Sequence, residues 1–377
     1  MNQLRQPGQR AITIADIARR CGVSNSTVSK ALHGNPEISE ARAEEIRAMA
    51  QTLGYDPTAY PEARRLVARR SGRKVLNHQL AACFPAYFTH AAYHTAIFSG
   101  IIDVVTQTDF GLLTLINVSR TSDEEAVYCL PSSLRRGEVD GIVLYGTGSS
   151  THSVLDALAR LPACRHLMKV SLLAPEPDCV AVLVDEFDGM RQAASHLLAL
   201  GHRHLLFVRH NLSSLAATRR ESGLQRACAD HGLDPAVHLH IFKHHLIDLS
   251  LPTHHMDPSP SPPPIEAHPL VQYLRAHPEI TAIIAHNDPV AIQLWYLLER
   301  AGWRIPEDFS LVGCDDTDPI LDSRGQNLLT TVRLPLHQLG QEAARLLIRL
   351  VNEEASPAEP LVLPTELIIR NSTAMPG

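Results

Sequence analysis

No apolar stretch in the 377-residue chain approaches the roughly 18 residues that a membrane-spanning helix needs. The opening, MNQLRQPGQR, lacks the apolar segment of a secretory signal. The expected compartment, by elimination, is the cytoplasm, with no membrane partner. No two cysteines stand in a C-x-x-C pair. The seven (Cys21, Cys83, Cys129, Cys164, Cys179, Cys228, Cys314) are odd in number and scattered. That pattern argues against a disulfide framework and a zinc site, and fits inert thiols in a reducing compartment. Catalytic signatures are missing as well: there is no G-x-S-x-G, H-E-x-x-H or kinase pattern. GTGSST at 146–151 is a glycine pattern without its third Gly or a phosphate-binding Lys. None of the 21 His pairs with an obvious nucleophile at diagnostic spacing. An enzyme is therefore not expected, and no cofactor is expected.

What is present is a globular balance of 45% apolar and 20% charged residues, long enough for two or three domains. The net charge of −6 hides an asymmetry. Residues 1–74 hold 13 Lys and Arg against 7 Asp and Glu, whereas the rest holds 21 against 33. A basic head on an acidic body implies that the head alone meets a polyanion.

Residues 1–12 read as a disordered lead-in and 13–59 as a helical head. Residues 60–74 read as a basic, Pro-punctuated hinge with a short helix near 62–70, and 75–377 as an α/β body. In the body, strand candidates at 112–116, 141–144, 180–184, 205–208, 282–285 and 310–313 alternate with helix candidates. The helices are expected at 95–108, 187–200, 219–231, 289–301 and 339–351, and the alternation predicts parallel sheets flanked by helices. Residues 238–264 carry six His and six Pro and end in PSPSPPP. A His-rich tract can bind metal, but these histidines show no ligand spacing, and a mobile surface insertion is expected, with no metal site.

The head predicts three helices between 13 and 54. Ile14, Ile17, Ala18 and Cys21 recur at helical spacing behind Thr13 as N-cap. Ser24 can cap a second helix carrying Val28, Ala31 and Leu32, and Ser39 a third carrying Ile46, Met49, Ala50 and Leu53. Ala18 is small where two helices must cross, Gly22 tolerates the positive φ of a tight turn, and Val28 falls where the second helix anchors on the first. The outward face of that helix keeps Asn25, Ser26, Ser29 and Lys30, short polar groups with one cation, as a major-groove helix should. The same spacing fits an amphipathic hairpin with a solvated face; the basic balance and the downstream arginines favour DNA.

The run ITIADIARRCGVSNSTVSKALHGNPEISEARAEEIRAMAQTLGYDP resembles, without a gap, the opening of the LacI (lactose-repressor) family of transcription regulators. That resemblance implies base contacts from Asn25, Ser26 and Lys30, and phosphate contacts from Thr13, Ser24, Thr27, Ser29 and Asn35. Lys30 stands where the family has Arg, and His33 where it has Asn. The outer operator bases therefore differ from those of other members if the contact is bidentate. ARRL, residues 63–66, resembles the hinge signature, which assigns Leu66 to the minor groove and Arg64 to phosphates, with Arg65, Arg69 and Arg70 nearby.

The body resembles the family's ligand-binding core, itself similar to periplasmic sugar-binding proteins. The segments carrying this are VDGIVL, VDEFDGMRQAASHLLALGHRHLLFV, TRRESGLQRACADHGL, HNDPVAIQLWYLLERAGWRIPEDFSLVGCDDTD and LPTELIIRNST. The resemblance as a whole covers about nine-tenths of the chain, lapsing at the start and in the His/Pro tract. The implied fold is an all-helical helix-turn-helix head plus a two-lobed α/β core whose lobes exchange strands near 182, 315 and 335. The implied ligand residues are Arg220, Asn287 and Asp288, with Phe84 and Tyr87 (beside Phe88) as aromatic candidates. A surface ion pair for Arg220 and core packing for the aromatics remain open. The implied function is a dimeric, sequence-specific regulator, expected to repress. It would bind a palindromic double-stranded operator under control of a small-molecule effector, a sugar or other polar metabolite, in the interlobe cleft. The rival is a periplasmic-binding-protein-type binder with a non-functional head.

Overall fold

The computed structural model describes residues 12–32, 35–55, 76–85, 92–117, 130–145, 149–210, 215–244, 264–355 and 359–377. The chain forms two compact units, Met1–Asn77 and His78–Gly377. The lead-in, the hinge with Arg64 and Leu66, His33, Tyr87 and Phe88, Cys129 and residues 245–263 lie outside the described residues.

In the head, α1 (Ile14–Cys21), α2 (Asn25–Leu32) and α3 (Glu40–Thr52) pack into one small core. Thr13 starts α1 with a reciprocal capping box: Asp16 N–H donates to Thr13 Oγ1 (3.3 Å) and Thr13 N–H to Asp16 Oδ2 (2.9 Å). Gly22 ends it at φ 64°, ψ 35°, a conformation an L side chain adopts at a cost. Thr27 N–H donates to Ser24 Oγ (3.1 Å), so Ser24 caps α2. Ser39 does not act as expected. Its side chain makes no cap bond, and only its carbonyl receives the Arg42 and Ala43 amides. At the other end of α3, Tyr55 N–H reaches Ala50 O (2.8 Å) and Gly54 N–H reaches Gln51 O (3.1 Å), a Schellman ending. Ile17, Val28, Ala31 and Ile46 are fully buried; each Ile or Val contributes roughly 1.5–3 kcal/mol.

The second unit is built on two six-stranded sheets. The first runs β11-β5-β4-β3-β1-β2. Its members are β1 (Gln79–Pro85), β2 (Gly111–Asn117), β3 (Gly141–Tyr145), β4 (Met168–Leu172), β5 (Val180–Val184) and β11 (Leu361–Leu363), all parallel. The second runs β12-β10-β9-β8-β6-β7, from β6 (His204–His210), β7 (Leu239–His244), β8 (Ile280–Ala285), β9 (Ser310–Asp315), β10 (Thr330–Arg333) and β12 (Glu366–Ile368). Only β12 is antiparallel to its neighbour. Strands buried on both faces explain runs such as VAVLV, in which all five residues are buried.

The helices that position the cleft are α4 (Ala92–Val105), α7 (Glu186–Ala199), α8 (Leu215–Asp230), α11 (Asp288–Arg300) and α12 (Leu336–Val351). Between them in chain order lie α5 (Ser132–Arg135), α6 (Ser149–Ala159), α9 (Pro235–His238) and α10 (Pro269–Ala276). The chain passes between lobes after β5, after β10 and between β11 and β12. The crossing expected near 315 is therefore absent: residues after β9 turn back through an Asp322-centred turn into β10 of the same sheet. The third crossing, at 364–365, follows a strand of three residues, too short to carry a periodic signal. The crossings are tied to one another, since Asp185 N–H donates to Leu363 O (2.9 Å) and Thr365 Oγ1 to Asp185 O (3.0 Å).

The His/Pro tract also departs from expectation at its start. Residues 239–244 are not an irregular insertion but a parallel strand beside β6, with Leu239 buried. Leu239 and Ile241 alternate with His238 and His240, and with the aromatic Phe242 they supply strand character that the Pro-rich continuation hid.

Candidate nucleic-acid interface and ligand cleft

On the head, Asn25 and Ser26 are exposed on the first turn of α2, and Thr27, Ser29 and Lys30 are partly exposed. Lys30 Nζ hydrogen-bonds the Glu37 carboxylate and draws its pKa down, chiefly through that bond. Asn35 receives the Glu37 amide on Oδ1 (2.9 Å) while its own N–H bonds Lys30 O (3.0 Å). Asn35 thus shapes the turn that holds Glu37 against Lys30. Arg42 Nη2 donates to Cys21 O (2.8 Å) and ties α3 to the end of α1. Thr13 and Ser24 spend a hydroxyl acceptor on their caps, which fixes the helix starts whose amides face outward.

In the second unit, Arg220 on α8 is buried at 4% exposure. Its Nε and Nη2 both reach Glu186 Oε1 (3.2 and 2.8 Å), Nη2 lies 3.6 Å from Asp315 Oδ1, and Nη1 donates to His286 O. α8 can come this close to α7 because Gly223 leaves room. A Cβ there would meet Phe187 O at 2.2 Å. Glu186 is the first residue of α7, immediately after a lobe crossing. Asp315 ends β9 at φ 116° and Asp316 follows at φ 56°; two adjacent non-glycine residues with positive φ mark a strained functional loop.

From the first lobe, Tyr93 on α4 joins this group. Its hydroxyl is pushed well above the ordinary tyrosine range, first by burial and then by Tyr145, Asp315 and Glu186, with Arg220 opposing. Asp315 is likewise pushed up, first by burial, while Arg220 pulls it down. His94 packs on Tyr145 (ring centroids 4.8 Å) and burial lowers its pKa to about 4. The second lobe thus buries a guanidinium between two carboxyls, and Tyr93 of the first lobe lies near enough for those charges to act on it.

Of the other expected ligand residues, Asp288 lies near enough to Asp315 to help raise its pKa, and Asn287 follows His286, whose carbonyl holds Arg220. Asp288 is 1% exposed; its Oδ1 accepts from Thr331 Oγ1 (2.6 Å) and its Oδ2 from Thr317 N–H (3.0 Å). Asn287 caps α11, its Oδ1 accepting from Val290 N–H (3.1 Å). Phe84 is 1% exposed and packs edge-on against Phe98 at 5.5 Å, in the core between β1 and α4. Among the described residues of the expected set, Arg220 stands in the charged group and Asp288 acts on its Asp315. Glu186 and Asp315, with Tyr93 near enough to feel their charges, were not among the expected residues; only the Asp315–Asp316 pair after a buried strand offered a sequence signal.

A helix-turn-helix head followed by a two-lobed, mostly parallel α/β body defines a ligand-responsive DNA-binding regulator. Residues 13–58 match bacterial regulatory proteins of the lacI family, and residues 194–373 match the periplasmic binding protein-like domain. The transcriptional regulator DegA of Bacillus subtilis is 26% identical over 96% of this chain and 98% of its own length. The regulator CelR of Thermobifida fusca is 25% identical over 97% and 99%. Among solved structures, a CelR–cellobiose complex superposes with TM-score 0.62 at 22% identity, covering 96% of this chain and 99% of that one. A Lac repressor dimer bound to operator and the anti-inducer ONPF superposes with TM-score 0.60 at 21%, covering 97% and 100%. The chain belongs to the lacI family of transcriptional regulators. Those relatives are regulators rather than enzymes, and no helix among the described residues is long and apolar enough to cross a membrane.

Proposed function

We propose that the chain binds a palindromic operator as a homodimer and that a small polyhydroxylated molecule in the interlobe cleft sets its affinity. The observation that carries this reading is the buried Arg220 group, in which Glu186 and Asp315 of the same lobe flank the guanidinium and their charges reach Tyr93 of the other lobe. A guanidinium offers five fixed donors and the carboxyls accept, which together match the alternating donors and acceptors of vicinal hydroxyls. The neighbouring CelR structure holds cellobiose and a related Enterococcus faecium structure holds ribose; both are polyols. On the head, Asn25, Ser26 and Lys30 read bases, while Thr13, Ser24, Thr27, Ser29 and Asn35 position phosphates. Arg64 and Leu66 supply the hinge contacts. No catalytic step is assigned to the chain.

A ligand closing the lobes alters DNA affinity only as far as it binds one arrangement more tightly than the other. Selection of bound duplexes from a random pool, repeated with mono- and disaccharides, tests this. The expected result is a palindromic consensus whose retention changes with one class of sugar. Recovery of no consensus contradicts the DNA reading, and a consensus indifferent to every polyol contradicts the effector reading.

A further inference from the structure

We propose that His204, His240 and Glu279 bind one zinc-class divalent metal ion at the outer edge of the second sheet. The metal-binding atoms of all three lie within 4.8 Å of one another. His204 opens β6, His240 lies on β7 beside it, and Glu279 sits in the turn entering β8.

The spacing of the two imidazoles carries the inference. His204 Nδ1 and His240 Nε2 face each other at 3.3 Å. Two nitrogens held ~2.05 Å from a tetrahedral zinc ion stand about 3.3 Å apart. The two nitrogens thus already stand at the separation that one ion requires. The Glu279 carboxylate closes a third position from solvent, leaving a fourth for water, the donor count of an open N2O zinc site.

The surroundings also fit ligation. His240 Nδ1, the nitrogen turned away from His204, lies 3.2 Å from Tyr273 Oη, a hydroxyl able to accept its N–H in the tautomer that keeps the lone pair on Nε2. His277 Nδ1 bonds Glu279 Oε1 (2.9 Å) and orients that carboxylate. His238 Nδ1 donates to Arg203 O (2.9 Å), and its ring lies 4.8 Å from that of His204, adding a further imidazole to the patch. A bound ion would bolt edge strand β7 to β6 and to the start of β8.

The test uses the untagged full chain stripped with chelator. It is titrated with Zn2+ against a chromophoric competitor and, separately, with Co2+ for its tetrahedral absorption. One tight ion per chain is expected, with the Co2+ spectrum of a tetrahedral site. His240→Ala and Glu279→Gln should each weaken it about 100-fold, and Tyr273→Phe by roughly tenfold. His337→Ala, at a surface pair with Asp103, should leave it unchanged. Glu279 is exposed, so its variant remains informative if the His240 variant misfolds. Absence of tight Zn2+ binding, or binding unaltered in Glu279→Gln, overturns the proposal.

Discussion

The Thr331 hydroxyl donates to Asp288 Oδ1 at 2.6 Å, fastening the first turn of α11 to β10. With Thr317 N–H on the other oxygen, each carboxyl oxygen accepts a hydrogen bond from its own lobe. Both donors favour the ionised form, yet burial outweighs them and, with Asp316 nearby, raises the Asp288 pKa to about 7.

That shift has a signed consequence. Below the ordinary carboxylate pKa, folded and unfolded chains are both protonated at Asp288 and its stabilising effect is fully present. Between roughly pH 4 and 7 only the folded state keeps the proton, so stability falls as pH rises, by up to ~1.4 kcal/mol per unit. Asp288→Asn removes this dependence. Urea unfolding at pH 5 and pH 7 should show the difference between wild type and variant moving by roughly 2–3 kcal/mol. A difference independent of pH would contradict the assignment.

Arg220 is predicted to be structural and ligand-facing at once. Arg220→Ala strands Glu186 and Asp315 in a buried setting and should cost about 3–5 kcal/mol in chemical denaturation. Arg220→Lys keeps the charge but loses the fork. It should retain most stability while the polyol response of DNA binding disappears. A lysine variant with an unchanged response removes Arg220 from the ligand site.

Lys30 must leave Glu37 to reach a base. Lys30→Ala is expected to weaken operator binding by ~1–3 kcal/mol and relax preference at one base pair. Glu37→Gln frees the lysine, and because both groups are exposed the gain should stay below about 1 kcal/mol. Anisotropy titrations on single-base operator variants measure both. An unchanged site profile in Lys30→Ala contradicts base readout.

A Cβ at Gly22 meets no atom within 4 Å, so any cost of substitution is in the backbone, at φ 64°. Gly22→Ala should destabilise the head by about 1–2 kcal/mol, seen as faster amide exchange in α1 and α2 with the body unaffected. Gly22→Asn, which tolerates this region better, should recover part of the loss. Equal protection in all three proteins would show that the turn is not strained.

The head was legible because its determinants are local: Ala18, Gly22, Ser24 and Val28 fall within one turn motif, and their spacing alone places two helices. The parallel sheets were legible from buried runs such as those of β5 and β8. The cleft was much less so. Glu186 and Asp315 meet Arg220 across elements 34 and 95 residues away in the chain, and Tyr93 nears them only because the chain crosses between lobes after β5. Asp288 and Asn287 matched a sequence pattern, yet their hydrogen bonds serve the start of α11. The His204–His240 pairing depends on the register between β6 and β7, and β7 was hidden at the front of a Pro-rich tract.

The central claim is that the basic head grips duplex DNA as half of a symmetric pair. Its most direct test is anisotropy titration of the full chain on its selected palindrome across salt concentrations, with a half-site duplex alongside. Tight binding by two chains per palindrome is expected, with log affinity falling linearly against log salt and the half-site bound far more weakly. Equal affinity for palindrome and half-site, or none for either in low salt, contradicts it.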